Sequence, residues 1–257
     1  MIIDDRAGAI DRRRLLGLAA LAAAGTLVGC SSSGSGPAQP PGAPATATGT
    51  AAPVPVTTPP PTAAAVWTTL LDGNARFAAG NPAHPHADPS WRAALAEEQH
   101  PVATVLSCAD SRVAPELIFD QGLGDLFTIR SAGEVLDEAV IGSIEYGVEH
   151  LATPLVVVLG HTGCGAVRAA IDVVHGAEHP HGDVAALVDA IEPAVRSVPV
   201  SDDEDAFAVA CVAEQARRVA AALPDRSEVL ATAVADGSLG IVVATYDLDT
   251  GVVGPLT

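Results

Sequence analysis

Leu155-Val156-Val157-Val158-Leu159-Gly160-His161-Thr162-Gly163-Cys164-Gly165 decides the fold. Five apolar residues in succession, three of them β-branched, leave no face for water. They describe a strand buried on both sides, as in a parallel sheet covered by helices. Glycines end the run, and Ala166-Val167-Arg168-Ala169-Ala170-Ile171 opens a helix. The same order of events occurs earlier, where Val102-Ala103-Thr104-Val105-Leu106 precedes Ser107-Cys108-Ala109-Asp110-Ser111-Arg112. Sites in open α/β sheets lie beyond the carboxyl ends of the strands. Two neighbouring strands can therefore deliver Cys108, His161 and Cys164 to one point.

Working outward, the expected strands are 103–106, 126–130, 155–159 and 240–248, the last placed at a sheet edge. Helices are expected over 66–79, 91–98, 115–119, 139–151, 165–174, 184–198, 205–223 and 227–236. Strands alternating with helices describe an α/β fold, a single domain with a central, mostly parallel β-sheet flanked by helices. Trp67, Leu71 and Phe77 share one face of the first helix; either a neighbouring subunit or the domain itself covers that face.

Two thiolates and one imidazole are three ligands for a tetrahedral zinc ion, which leaves a fourth position for water or substrate. Bound in this way, zinc lowers the pKa of its water to around 7 and yields hydroxide at neutral pH. Asp110 lies two residues after Cys108 and can accept a hydrogen bond from such a nucleophile. Arg112, two residues further on, can hold that carboxylate in a bidentate pair and keep it ionised. Three competing readings bear on these residues. A Cys108–Cys164 disulfide leaves Asp110, Arg112 and His161 unexplained. A dinucleotide loop at Gly160-x-x-Gly163-x-Gly165 has the wrong glycine spacing. An ordinary surface ion pair between Asp110 and Arg112 is the usual fate of such pairs, set aside here for its nearness to a ligand. Cys211, in the run Phe207 to Val212, reads as a buried core thiol. The remaining histidines, at 84, 86, 100, 150, 175, 179 and 181, read as solvated surface residues.

Cys108-Ala109-Asp110-Ser111-Arg112, followed about fifty residues later by His161-x-x-Cys164, resembles the β-class carbonic anhydrases. The resemblance continues through Phe119-Asp120-Gln121-Gly122-Leu123-Gly124-Asp125-Leu126-Phe127, Ile129-Arg130-Ser131-Ala132-Gly133 and Gly142-Ser143-Ile144-Glu145-Tyr146, and spans Ala64 to the C-terminus. It implies one zinc ion per chain held by Cys108, His161 and Cys164, with Asp110 and Arg112 as the catalytic dyad. It also implies Asp110 as a conditional fourth ligand, since in some members this aspartate swings onto zinc in a closed state. The implied activity is that of a lyase, the reversible hydration of carbon dioxide to bicarbonate and a proton by zinc-bound hydroxide. Ser131 departs from the Asn found in many members. Phe127 and Tyr146 are candidates for a small apolar pocket. The resemblance implies a homodimer or higher homo-oligomer. Two alternatives stand beside it: a carbon disulfide or carbonyl sulfide hydrolase on the same scaffold, and a non-catalytic zinc- or bicarbonate-binding lipoprotein.

The first 62 residues are of another kind. Asp11-Arg12-Arg13-Arg14-Leu15-Leu16 is a twin-arginine pattern, and an Ala-rich apolar stretch to Val28 ends in Leu27-Val28-Gly29-Cys30-Ser31. Residues 1–30 are read as an export signal of lipoprotein type, with Cys30 as the lipidated residue and membrane anchor. Residues 31–62 carry no charge and are Pro, Ala, Thr, Ser and Gly apart from Gln39, Val54 and Val56, the composition of a disordered tether. Residues 63–257 are read as the β-carbonic anhydrase-like domain. The expected location is therefore outside the cytoplasm, on the outer face of the membrane. The net charge is −18, and every positive side chain is an arginine, several of them in the signal. So acidic a domain excludes nucleic acid as a partner.

Overall fold

The computed structural model describes residues 61–256. The expected signal, Cys30 and nearly all of the tether lie outside the described residues. Eight helices and five strands follow one another as α1 (Ala63–Ala78), α2 (Pro89–Ala94), β1 (Ala103–Ser107), α3 (Pro115–Ile118), β2 (Leu126–Arg130), α4 (Glu138–Glu149), β3 (Leu155–His161), α5 (Gly165–Val174), α6 (Val184–Ser197), α7 (Glu204–Arg226), α8 (Glu228–Ala235), β4 (Gly240–Tyr246) and β5 (Val253–Pro255). A short 3-10 turn, Ala132–Glu134, lies between β2 and α4.

The strands form one sheet in the order β2-β1-β3-β4-β5. The first four are parallel, and β5 runs antiparallel to β4. The continuous apolar runs are buried on both faces, as their composition requires. Leu155, Val157 and Leu159 of β3 point into a core shared with α1 and α3, where Val66, Leu70, Ile118 and Phe119 pack. Val156 and Val158 point the opposite way, against Ile144 of α4, Ala216, Val219, Ala220 and Leu223 of α7, and Leu230 of α8. This is the period-two alternation of a strand with helices on each side.

One sequence expectation is corrected. The fourth strand is not at an edge, because the chain reverses over residues 247–252 and lays Val253–Pro255 along it. Asp247 N–H donates to Val252 O (2.9 Å) and Gly251 N–H to Asp247 O (2.9 Å), which closes the reversal. The edges are β2 and β5. Trp67, Leu71 and Phe77 pack against their own domain's core; Trp67 meets Phe119 edge-on at 6.2 Å, and Phe77 lies 6.4 Å from Tyr246.

Helix starts follow local chemistry. The side chains of Thr62, Asp137, Asp203 and Ser227 each accept the N–H three residues on, closing α1, α4, α7 and α8. Asn74, buried in α1, ties that helix to two distant segments. Its Nδ2 donates to Ile118 O (3.1 Å) and Gly251 O (2.9 Å), and its Oδ1 accepts from Val253 N–H (2.8 Å).

Candidate metal centre

Parallel pairing of β1 with β3 sets Ser107 opposite Leu159, so the carboxyl ends of the two strands lie side by side, with β3 running two residues further. Cys108 follows directly after β1, His161 is the last residue of β3, and Cys164 caps α5. Gly163, at φ +65°, supplies the left-handed turn between the last two. The structure therefore brings together the three ligands expected from the sequence. Their donor atoms all lie within 4.8 Å of one another, and all three residues are buried.

The donor set fits a metal ion on its own chemistry. His161 Nδ1 lies 2.9 Å from Thr162 O. A carbonyl oxygen can only accept, so Nδ1 carries the proton and Nε2 a lone pair. That Nε2 is buried and has no hydrogen-bond partner, a costly arrangement that a bound cation resolves. The thiols stand 3.9 Å apart and are free, so they do not form a disulfide. Their mutual hydrogen bond draws Cys108 well below the usual thiol range and holds Cys164 above it. A cation allows both to ionise. Gly133 N–H points at Cys108 Sγ from 3.4 Å and favours the thiolate.

Asp110 stands beside these donors. Its Oδ2 is 4.0 Å from His161 Nε2. Arg112 grips both carboxylate oxygens, Nε to Oδ1 at 2.9 Å and Nη2 to Oδ2 at 2.6 Å, and its own N–H also reaches Oδ1 at 2.9 Å. These bonds hold the Asp110 carboxyl far below the usual carboxylate range, chiefly through the Arg112 side chain. In this arrangement Asp110 is committed to Arg112 and not to the metal position. Arg112 Nη2 also reaches Gly163 O at 3.3 Å, which links the two ligand loops.

Several residues that hold the centre were not singled out from sequence. Arg130, at the end of β2, donates from Nε to Cys108 O (2.9 Å) and from Nη2 to Asp110 O (2.5 Å), pinning the first ligand loop. Its signal was its place at the end of a strand in register with Ser107. Gln215 of α7 donates to Gly133 O at 3.0 Å, from 82 positions away in the chain. Glu134 is buried with Oε1 unpartnered, in a left-handed backbone conformation (φ +55°) rare for a side-chain-bearing residue. Burial, and then the charge of Cys108, push its carboxyl well above the ordinary range. Ser131, the departure from the usual Asn, bonds Val135 O at 2.8 Å. Its backbone extends the β1–β2 ladder to Ser107 and Ala109, so the loop keeps its place. Phe127 and Tyr146 pack on one another 5.9 Å apart. Phe127 lies opposite Thr104, near the start of β1 and away from the strand end that bears Cys108.

Residues 103–253 match the carbonic anhydrase family. "Carbonic anhydrase 2" of Mycobacterium tuberculosis is 46% identical over 189 residues, which span 73% of this chain and 89% of that protein. A carbonic anhydrase of Mycolicibacterium smegmatis is 44% identical over 190 residues, covering 73% of this chain and 90% of that one. Among solved structures, a tetrameric β-carbonic anhydrase of Sordaria macrospora shares the fold, with a TM-score of 0.59 at 20% identity over 74% of this chain and 96% of its own. A β-carbonic anhydrase of Aspergillus fumigatus matches with a TM-score of 0.58 at 25% identity over 74% of this chain and 90% of its own.

Proposed function

The chain belongs to the carbonic anhydrase family, with the β-class fold, and from that premise we propose how its own residues carry out the reaction. It hydrates carbon dioxide reversibly to bicarbonate and a proton. Cys108, His161 and Cys164 would hold one zinc ion. Bound there, the ion would supply a Lewis acid that lowers the pKa of water to around 7. The chain does the rest. Asp110, kept ionised by Arg112, offers a carboxylate oxygen beside the point where the three donors converge. It accepts the O–H of the reacting water and turns that water's lone pair toward the carbon of carbon dioxide. Arg112 fixes the carboxylate in that orientation, and Arg130 fixes the backbone that carries it. Gly133 N–H steadies the Cys108 thiolate, and the Thr162 carbonyl holds the His161 ring by Nδ1, which leaves Nε2 free to serve as a ligand.

The buried, unpartnered Nε2 of His161, among two free thiols, carries this reading. Stopped-flow hydration with zinc content measured alongside tests it. Cys108→Ser is expected to lose zinc and activity together. Asp110→Ala is expected to keep zinc and lose most turnover. An Asp110→Ala enzyme of parental speed would sink the role given to Asp110.

We further propose that the chain is exported folded by its twin-arginine signal and anchored by lipid on Cys30, with residues 31–62 as tether. Export in the folded state lets the thiolates take up zinc before they meet an oxidising compartment. The mass of the mature protein tests this: loss of residues 1–29 with added acyl mass is expected, and Cys30→Ala should release the enzyme from membranes. A homo-oligomer is the proposed assembly, supported by the tetramer among its fold relatives; sedimentation of the purified chain decides it.

A further inference from the structure

A second set of metal-type donors lies outside the Cys-His-Cys centre, where the loop after α5 meets α6. His179 comes from that loop; Asp189 and Glu192 stand three residues apart on α6 and so share one helical face. The ligand atoms of the three all lie within 4.8 Å of one another. His179 Nε2 is 2.9 Å from Asp189 Oδ1.

The ring's other nitrogen sharpens this. His179 Nδ1 lies 3.3 Å from Pro180 O, which can only accept, so both ring nitrogens face acceptors and the single N–H of a neutral ring, placed on Nδ1, serves the carbonyl. In a neutral ring Nε2 then bears a lone pair and faces a carboxylate oxygen. Two acceptors at that distance require positive charge on one of them or bound between them. A proton is one such occupant; a metal ion is the other. Glu192 is prepared in the same sense. Both bonds from Arg196, at 2.6 Å and 3.0 Å, end on Oε2, which leaves Oε1 for a cation. A backbone carbonyl orienting the imidazole and an arginine orienting the carboxylate are the outer supports that metal ligands usually have.

We infer that His179, Asp189 and Glu192 form a second binding site, for a divalent transition cation of the zinc type. Mixed imidazole and carboxylate donors select such ions over magnesium or calcium, which favour oxygen alone. The side chains of His179 and Asp189 are 41% and 66% exposed, so water completes the coordination and the site is weaker than the buried centre. Occupied, it fastens the loop before α6 to that helix.

The test is zinc uptake by the full-length protein already carrying its first zinc, by equilibrium dialysis at low micromolar free zinc. A second zinc per chain is expected, undisturbed by excess magnesium. His179→Ala should weaken this second zinc at least about 10-fold, and Glu192→Gln should weaken it too. Both variants should keep the first zinc and the parental rate of carbon dioxide hydration. One zinc per chain throughout, or a second zinc unchanged in either variant, overturns the site.

Discussion

Replacing Gln215 by Leu should damage the metal centre without touching a ligand. Gln215 is buried, and its Nε2 donates to Gly133 O at 3.0 Å. The same Gly133 turns its N–H toward Cys108 Sγ. Leu fills similar volume, so the cavity term is small, and the main loss is an unpaired buried carbonyl. That costs about 1–3 kcal/mol. In a domain of this size each kcal/mol lowers the melting temperature by about 2–4 °C, so a fall of about 2–12 °C is expected in zinc-free protein. Freed from Gln215, Gly133 is no longer fixed in the turn that aims its N–H at the thiolate, and zinc affinity should drop by about 10-fold or more. Thermal unfolding without zinc reads the first effect, and chelator competition reads the second. An unchanged melting temperature would show that the Gly133 carbonyl has no need of Gln215. A destabilised variant with parental zinc affinity would separate fold from site and refute the link between them.

Three further outcomes follow from burial and charge. Glu134→Gln removes a buried carboxyl whose folded pKa is raised, a group that costs stability once pH exceeds its unfolded value of about 4.3. The variant should melt higher than the parent, with a gain that grows toward alkaline pH. Asp120 behaves oppositely: burial opposes its charge, but bonds from Ala83 N–H, Arg76 and His84 N–H outweigh it and lower its pKa. Its stabilisation is present above the unfolded value of about 3.9 and fades as pH falls below it; Asp120→Asn should be less stable at neutral pH and lose less on acidification, read from melting temperature against pH. Gly73→Ala in α1 would drive a methyl group into the Phe119 carbonyl, and denaturant unfolding should show a loss of about 1–3 kcal/mol.

Much of this architecture was legible along the chain. The runs at 103–106 and 155–159 announced strands dry on both faces, and both proved central in a parallel sheet. β5 was not legible: three residues, Val-Gly-Pro, are too few to carry a period, and only the reversal at 247–252 lays them on β4. His179, in the loop before α6, read as solvent-facing because its partners lie ten and thirteen residues on, on a helix whose facing side no local pattern reveals.

The sequence by itself determined the donor set: two cysteines and a histidine at the carboxyl ends of two buried strands, with an aspartate and an arginine two and four residues past the first. Those relations are local, and local spacing survives folding. Only the tertiary structure decided how the donors are held. Parallel pairing sets the two strand ends side by side, Arg130 closes on the Cys108 loop from a neighbouring strand, and Gln215 reaches Gly133 across 82 residues. The tautomer of His161 rests on where its own Thr162 carbonyl turns. Such contacts join groups that are distant in the chain or depend on the final turn of one peptide, and composition and periodicity carry no trace of them.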